Sequence, residues 1–199
     1  MKFAKIFLVR HGEVVNKKNI QYGYLPVPLS QKGKKEAKKV GLFLKKKGVA
    51  AIFASPMKRT QQTAKIISRV VANGKINVQI EKNLRESGLG HFLEGLTPEQ
   101  VRQKYPKIIR AYYRQPAKLK TGETLAKMAD RMLKAIQKGI KKYPGQNLVF
   151  VSHRDPILAA LLKISKRSFN DLHQVKHYCG TGSVLEIDLI GKRLVNKNF

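Results

Sequence analysis

The chain has 199 residues, 42% hydrophobic and 27% charged, which is enough apolar content for a packed core and argues against disorder. Lys plus Arg number 41 against 12 Asp plus Glu, a formal net charge of +29, so the chain attracts polyanions and anionic substrates at low salt. One cysteine, Cys179, excludes an internal disulfide, and no apolar run approaches the ~18 residues of a membrane-spanning helix.

Residues 4–9 form a short apolar run bounded by charge, the pattern of a buried strand. The run is too short for a signal-peptide core, and the reading is of a cytoplasmic protein. Ser30 begins a helix whose positions Ala37, Val40 and Leu44 carry the three- and four-residue spacing. Its lysines, Lys32, Lys34, Lys35, Lys38, Lys39 and then Lys45, Lys46, Lys47, fall on a solvated face opposite Val40, Leu42 and Leu44. Residues 50–54 read as the second strand. Ser55 and Pro56 then suit the N-cap and first position of the next helix, and residues 76–81 read as a third strand.

The strand–helix alternation breaks at about 84–121, a stretch with glycines, prolines flanking tyrosines, and the capping-box signature Thr97-Pro98-Glu99-Gln100. It reads as an insertion over one end of the sheet. Residues 123–142 resume with a long amphipathic helix carrying Leu125, Met128, Ala129, Met132, Ala135, Ile136 and Ile140 on one face. Residues 148–152 form another strand, Asp155-Pro156 opens a helix through Leu158, Leu161 and Leu162, and residues 184–189 form the last clear strand. The order predicts an α/β fold over 1–199 as one domain, a mostly parallel central sheet flanked by helices with the helical insertion at its active-site end.

Two histidines occupy equivalent places: His11 follows the first strand and His153 follows the strand at 148–152. Ligands in open α/β sheets sit outside the carboxyl ends of strands, so the two can face one site. Arg10 brings a guanidinium fork suited to phosphate oxygens, and Gly12 permits close backbone approach. A neutral imidazole with a free ring nitrogen is a competent nucleophile toward phosphorus.

Arg10-His11-Gly12-Glu13 at a strand end resembles the signature of the histidine phosphatase (phosphoglycerate mutase-like) superfamily. Further blocks match in order: Tyr22-Gly23; Leu29-Ser30 with Gly33 and Glu36-Ala37; Ser55-Pro56 with Arg59-Thr60, Gln62-Thr63-Ala64; Leu84-Arg85-Glu86; Gly122-Glu123-Thr124 with Arg131; and Val151-Ser152-His153 with Pro156-Ile157. The resemblance implies that His11 takes the phosphoryl group, that Arg10, Arg59 and His153 surround it, and that Glu86 is proton donor to the leaving oxygen and then base for water. Glu94 and Glu13 are rivals for that last role. Asn16, Tyr22 and Thr181 are candidate phosphate or substrate contacts, the last from the segment Gly180-Thr181-Gly182-Ser183, whose amides are positioned toward the phosphate. Specificity is expected in the insertion and in residues such as Tyr22, His91 and Tyr112.

Two departures bear on the substrate. Arg154 stands where the family commonly has Gly, which adds a cation at the pocket rim or points to solvent. Asp155 is read as a cap of the following helix. The chain has no Trp, and Val14 and Val15 follow Glu13, which together favour a phosphatase branch over the glycolytic mutases. No cofactor and no metal are expected. The expected partner is a small phosphorylated substrate, with nonspecific polyanion binding at low salt, no specific nucleic-acid partner and no membrane partner; the oligomeric state stays open. So do two other readings: a phosphoglycerate mutase-type phosphotransferase, and a catalytically inactive polyanion- or RNA-binding protein suggested by the charge and by Arg110-Ala111-Tyr112-Tyr113-Arg114.

Overall fold

A computed structural model describes residues 4–119, 121–175, 180–188 and 194–197; Cys179 and Leu189 lie outside them. Among the described residues one six-stranded sheet runs in the order β3-β2-β4-β1-β5-β6. Its strands are β1 Lys5–Arg10, β2 Val49–Ala54, β3 Val78–Ile80, β4 Asn147–Ser152, β5 Val184–Asp188 and β6 Leu194–Lys197. The pairings β1–β4, β4–β2 and β2–β3 are parallel, and β5 closes antiparallel on β1, with β6 antiparallel beyond it. The sheet is therefore mostly parallel, as the alternation predicts. The final strand, β6, escapes the sequence pattern because Leu-Val-Asn-Lys has only two apolar residues.

The core lies on both faces of the sheet, and alternate side chains sort between them, as a period of two requires. Ile6, Leu8, Phe53, Leu148 and Phe150 pack toward α5 (Leu125–Lys142) and α6 (Arg154–Ile164). Phe7, Val9, Ile52, Val149 and Val151 pack toward α1 (Gln31–Leu44) and α2 (Lys58–Ala72). The central strands β1 and β4 are thus buried from both sides, which is why they read as continuous apolar runs. The insertion holds α3 (Pro98–Lys104) and α4 (Pro106–Arg114). The Thr97 hydroxyl and Gln100 amide complete the predicted capping box at its start.

Several local expectations are corrected. Ser30 caps α1 as predicted, accepting from the Gly33 amide, but Leu42 is 58% exposed among the lysines and belongs to the solvent face. Helix α2 starts at Lys58 with Met57 as its N-cap, so neither Ser55 nor Pro56 lies in its first turn. The third strand is shorter than 76–81 because β2 pairs only with Val78, Gln79 and Ile80. Beyond those residues the Ile76 carbonyl accepts from Ser68, and Glu81 turns its carboxylate to the Asn83 amide.

Candidate active site

The register of β1 on β4 sets Arg10 opposite Ser152, so the next residue of each strand, His11 and His153, emerges side by side at the carboxyl end of the sheet. Their ring centroids are 5.2 Å apart, and neither is more than 1% exposed. The main chain of His11 is held from three sides. Its amide donates to the Ser152 carbonyl, its carbonyl accepts from the Gly182 amide, and the Gly12 amide that follows donates to Thr63. Gly12 and Gly33 let this loop press onto the start of α1: a Cβ on Gly12 would lie 2.3 Å from the Gly33 oxygen, and one on Gly33 would lie 2.0 Å from the Glu13 oxygen.

Hydrogen bonds fix the tautomer of His11. Nδ1 lies 2.8 Å from the Gly12 carbonyl oxygen, which only accepts, so Nδ1 carries the proton. Nε2 then presents its lone pair, and Arg59 Nε donates to it at 3.3 Å. Burial, and after it the charges of Arg59 and Arg10, hold the His11 imidazole well below its ordinary pKa. The ring is therefore neutral at neutral pH, the form a nucleophile needs.

Arg59 is fully buried. One edge of its guanidinium donates to the Gly23 carbonyl at 2.8 Å, its NH2 reaches Glu86 at 3.4 Å, and its face lies 4.9 Å from the centre of the Tyr22 ring. Glu86 Oε2 also lies 3.3 Å from His153 Nδ1. Burial raises the Glu86 carboxyl above its ordinary value against the pull of Arg59, and Asp155 adds to the rise. His153 is lowered well below its ordinary value, first by burial and then by Arg59. Its Nε2 sits 2.8 Å from Ser55 Oγ.

The structure thus brings Arg10, His11, Arg59, Glu86, His153 and Tyr22 together. Asn16 and Thr181 are engaged by other partners. The Asn16 side chain donates to and accepts from Ile20, closing its own loop. The Thr181 hydroxyl donates to Glu36, and the Gly182 and Ser183 amides are spent on the His11 and Gly180 carbonyls, so this segment braces His11 rather than lining the pocket. Of the rival acids, Glu94 accepts from the Tyr24 amide and faces His91, and Glu13 pairs with Lys32 and Ser30. Both are turned to other work. His91 is itself half-exposed at that brace, away from the cavity. Asp155 does not cap α6, whose N-cap is His153; its carboxylate accepts from Tyr112 and Arg154 on the cavity wall.

Three functional neighbours escape the sequence reading of roles. Ser55 looks like a helix cap and instead anchors His153. Arg131 donates to both oxygens of Glu123, at 2.6 and 2.8 Å, and to the carbonyls of Asn83, Arg85 and Glu86, so it ties down the segment that carries Glu86. The signal available was the Glu123–Arg131 spacing across the start of α5, two turns apart on one face. His173 joins the cavity wall by contacts that no local pattern announces.

His11, Glu86 and His153 place potential metal-ligating atoms within 4.8 Å of one another. The setting suits an anion better. Arg59 already donates to two of the three, Arg10 lies alongside, and a divalent cation would have to approach both guanidinium groups. Fixed donors around a small enclosure are what a transferring phosphoryl group requires.

Comparison with known proteins agrees with this geometry. Residues 6–199 match the model of the histidine phosphatase superfamily, branch 1. The chain is 33% identical over 173 residues to phosphoserine phosphatase 1 of Hydrogenobacter thermophilus, covering 83% of this chain and 80% of that protein. It is 28% identical over 192 residues to a 2,3-bisphosphoglycerate-dependent phosphoglycerate mutase of Parvibaculum lavamentivorans, covering 92% and 90%. Among solved structures, YhfR of Bacillus stearothermophilus superimposes with a TM-score of 0.86 at 26% identity, covering 96% of this chain and 94% of that one.

Proposed function

The chain belongs to the histidine phosphatase superfamily as a phosphatase of the histidine type, and on that premise we propose that it hydrolyses phosphomonoesters without a metal, through a phosphohistidine on His11. The observation that carries this reading is the fixed His11 tautomer: a buried, neutral ring with its Nε2 lone pair aimed at Arg59 and into the cluster of Arg10, Glu86 and His153.

The steps follow from the positions. An arriving phosphate dianion takes over the Arg59 N–H now spent on His11 and brings its oxygens to Arg10, Arg59 and His153. His11 Nε2 forms the N–P bond as the bond from phosphorus to the ester oxygen breaks. Glu86, whose carboxyl burial raises above its ordinary value, gives its proton to that oxygen, and the alcohol leaves. The Glu86 carboxylate then takes a proton from water as the water oxygen attacks phosphorus. The N–P bond breaks, and inorganic phosphate leaves with His11 neutral and Glu86 protonated again. Positioning and charge stabilisation supply most of the catalysis in such transfers.

The test is hydrolysis of p-nitrophenyl phosphate in EDTA, together with trapping of an acid-labile, alkali-stable phosphoenzyme. Activity that persists in EDTA and a phosphoenzyme lost in His11→Ala are expected. Full activity in His11→Ala, or abolition by EDTA, overturns the reading. The mutase alternative uses the same groups with a sugar-acid hydroxyl in place of water, and predicts activity that depends on a bisphosphoglycerate primer. The inactive polyanion-binding alternative has less support: Tyr112, in the basic–aromatic stretch, turns into the cavity instead of offering a stacking face. The surplus positive charge is then a source of nonspecific polyanion binding that fades steeply with salt.

A further inference from the structure

The groups around His11 handle a phosphoryl group and one leaving oxygen. What else the substrate carries is decided by the adjoining cavity, which measures about 380 Å³ and opens from Arg10 and Glu86. That is the small end of ligand sites, roughly 300–1,000 Å³, and it suits a small ester rather than a polymer. Gln21, Tyr22, Gly23 and Ser87 line it beside the phosphoryl groups, and the rest of its wall is of two kinds. One is apolar: Leu93, Ile108, Ile109, Tyr113 and Leu119. The other is a polar group of four, Tyr112, Arg154, Asp155 and His173.

The polar wall is closed on itself. The Tyr112 hydroxyl donates to Asp155 Oδ2 at 2.8 Å. Arg154 NH1 donates to Asp155 Oδ1 and to the Tyr112 oxygen, each at 3.2 Å. His173 Nε2 lies 2.9 Å from the Tyr112 carbonyl and so carries the ring proton, which leaves Nδ1 to accept from Arg154 NH2 at 3.4 Å. Both carboxylate oxygens and both ring nitrogens are engaged. With His173 neutral, the charges of Arg154 and Asp155 cancel. A ligand carboxylate brought here would face Asp155 and would have to break this network; a ligand ammonium would meet a carboxylate already satisfied. Either charge would lose its water for little return. Beside the network, the rings of Tyr112, Tyr113 and His173 lie 4.7–5.2 Å from one another, an aromatic cluster that favours a flat apolar body.

We propose that the leaving group this enzyme takes is an uncharged apolar body, aryl or branched alkyl, seated against Ile108, Ile109 and Tyr113, and not a carboxylate- or ammonium-bearing one. The proposal rests on the phosphatase reading above and adds the substrate class. Arg154, which fills a position the family commonly leaves as Gly, serves in it as the partner that neutralises Asp155 and closes the polar wall.

The experiment compares kcat/KM for 1-naphthyl phosphate, ethyl phosphate, 3-phosphoglycerate and phosphoserine in the wild type, in Tyr113→Ala and in Ile109→Asn. Tyr113 is 63% exposed, so its variant tests the wall without disturbing the core. Naphthyl phosphate is expected to exceed both charged esters by at least about tenfold, within the range that apolar pocket contacts supply. Each variant is expected to lower the naphthyl value several-fold through KM while leaving ethyl phosphate, too small to reach the wall, unchanged. Preference for 3-phosphoglycerate or phosphoserine overturns this inference and leaves the phosphatase reading standing, as does an equal effect of both variants on ethyl and naphthyl esters. Hydrolysis of none of the four esters overturns the phosphatase reading and this inference with it.

Discussion

Arg131 offers the sharpest test of how the site is built, because it meets Glu86 only at its main-chain carbonyl and yet ties down the segment that carries it. It is 7% exposed and makes five hydrogen bonds, two to the Glu123 carboxylate and three to the carbonyls of Asn83, Arg85 and Glu86 in the segment holding Glu86. Arg131→Ala leaves the largely buried Glu123 carboxylate with only the longer Arg85 contact, at 3.4 Å, as its ion pair, and takes the Arg131 donor from the Asn83 and Arg85 carbonyls. Breaking a buried ion pair from one side costs about 3–5 kcal/mol, a large part of a typical fold's stability of about 5–15 kcal/mol. Arg131→Lys keeps the charge but cannot reach five acceptors, since an ammonium has three donors on a flexible stem; we expect it to fold, with a loss of about 1–3 kcal/mol. Urea unfolding measures that part. The informative assay is the leaving-group dependence of kcat in Arg131→Lys. In the proposed mechanism alkyl phosphates need a proton from Glu86, whereas p-nitrophenolate leaves without one. A displaced Glu86 therefore lowers kcat for ethyl phosphate about 10–100-fold, the usual share of general acid catalysis, and lowers it far less in the burst phase with p-nitrophenyl phosphate. Equal losses on both esters would refute the positioning role and leave Arg131 as a stabilising residue only.

Three further outcomes follow from the geometry. Ser55→Ala removes the group 2.8 Å from His153 Nε2 and is expected to lower kcat about tenfold while costing about 1 kcal/mol of stability, one hydrogen bond's worth; an unchanged kcat in steady-state assays contradicts the anchoring role. Gly12→Ala forces a methyl against the Gly33 carbonyl oxygen, so we expect a loss of about 1–3 kcal/mol by overpacking, read as a lowered urea midpoint, with activity falling beyond what the unfolded fraction explains. The folded-state pKa values of His11 and His153 are depressed, so the stability tied to them is present above the unfolded value of about 6.5 and is lost as pH falls below it. With both rings neutral in the fold and charged in the unfolded chain, the slope contributed reaches about 2.7 kcal/mol per pH unit, and His11→Asn should roughly halve it between pH 6.5 and 5; an unaltered slope would show that the His11 ring takes up a proton without unfolding.

The parts of this molecule that were legible in the sequence are those set by local periodicity. The strands at β1 and β4 read as apolar runs because both their faces are covered, and the histidines after them could be paired because parallel neighbours end together. The capping box at Thr97 and the cap at Ser30 were legible because their partners lie three residues away. What the sequence concealed were choices made over long separations. Ser55 has the local profile of a cap, but its hydroxyl goes to His153, 98 positions away. Asp155 has the same profile and goes to Tyr112. Asn16 and Thr181 carry the right chemistry for a phosphate contact, and each is consumed by a neighbour, Ile20 or Glu36, that a motif does not reveal. Leu42 fits the apolar spacing of α1 only loosely, and the packing of α1 on α2 turns it outward, since Gly41 beside it meets Val70 at close range.

The same long-range choices explain how so basic a chain keeps a usable nucleophile. Arg10 and Arg59 beside two histidines would stabilise neither imidazolium, and burial pushes in the same direction, so both rings stay neutral. The acid beside them is pushed the other way: burial raises the Glu86 carboxyl above its ordinary value even though Arg59 pulls against it. Before substrate arrives, the cluster therefore holds permanent positive charge only on its guanidinium groups, with the His11 Nε2 lone pair turned to Arg59 and a Glu86 carboxyl biased toward its protonated form. In the proposed mechanism a phosphate dianion completes this balance. It compensates the arginines, and by its own charge it strengthens the hold of Glu86 on its proton until negative charge develops on the leaving oxygen. In that mechanism, once the alcohol has gone, the Glu86 carboxylate lies between Arg59 and His153, where its ionised form is held to draw a proton from water. The two demands that the proposed mechanism places on Glu86, acid first and base second, then fall to a single enclosure whose charge changes with the phosphoryl group inside it.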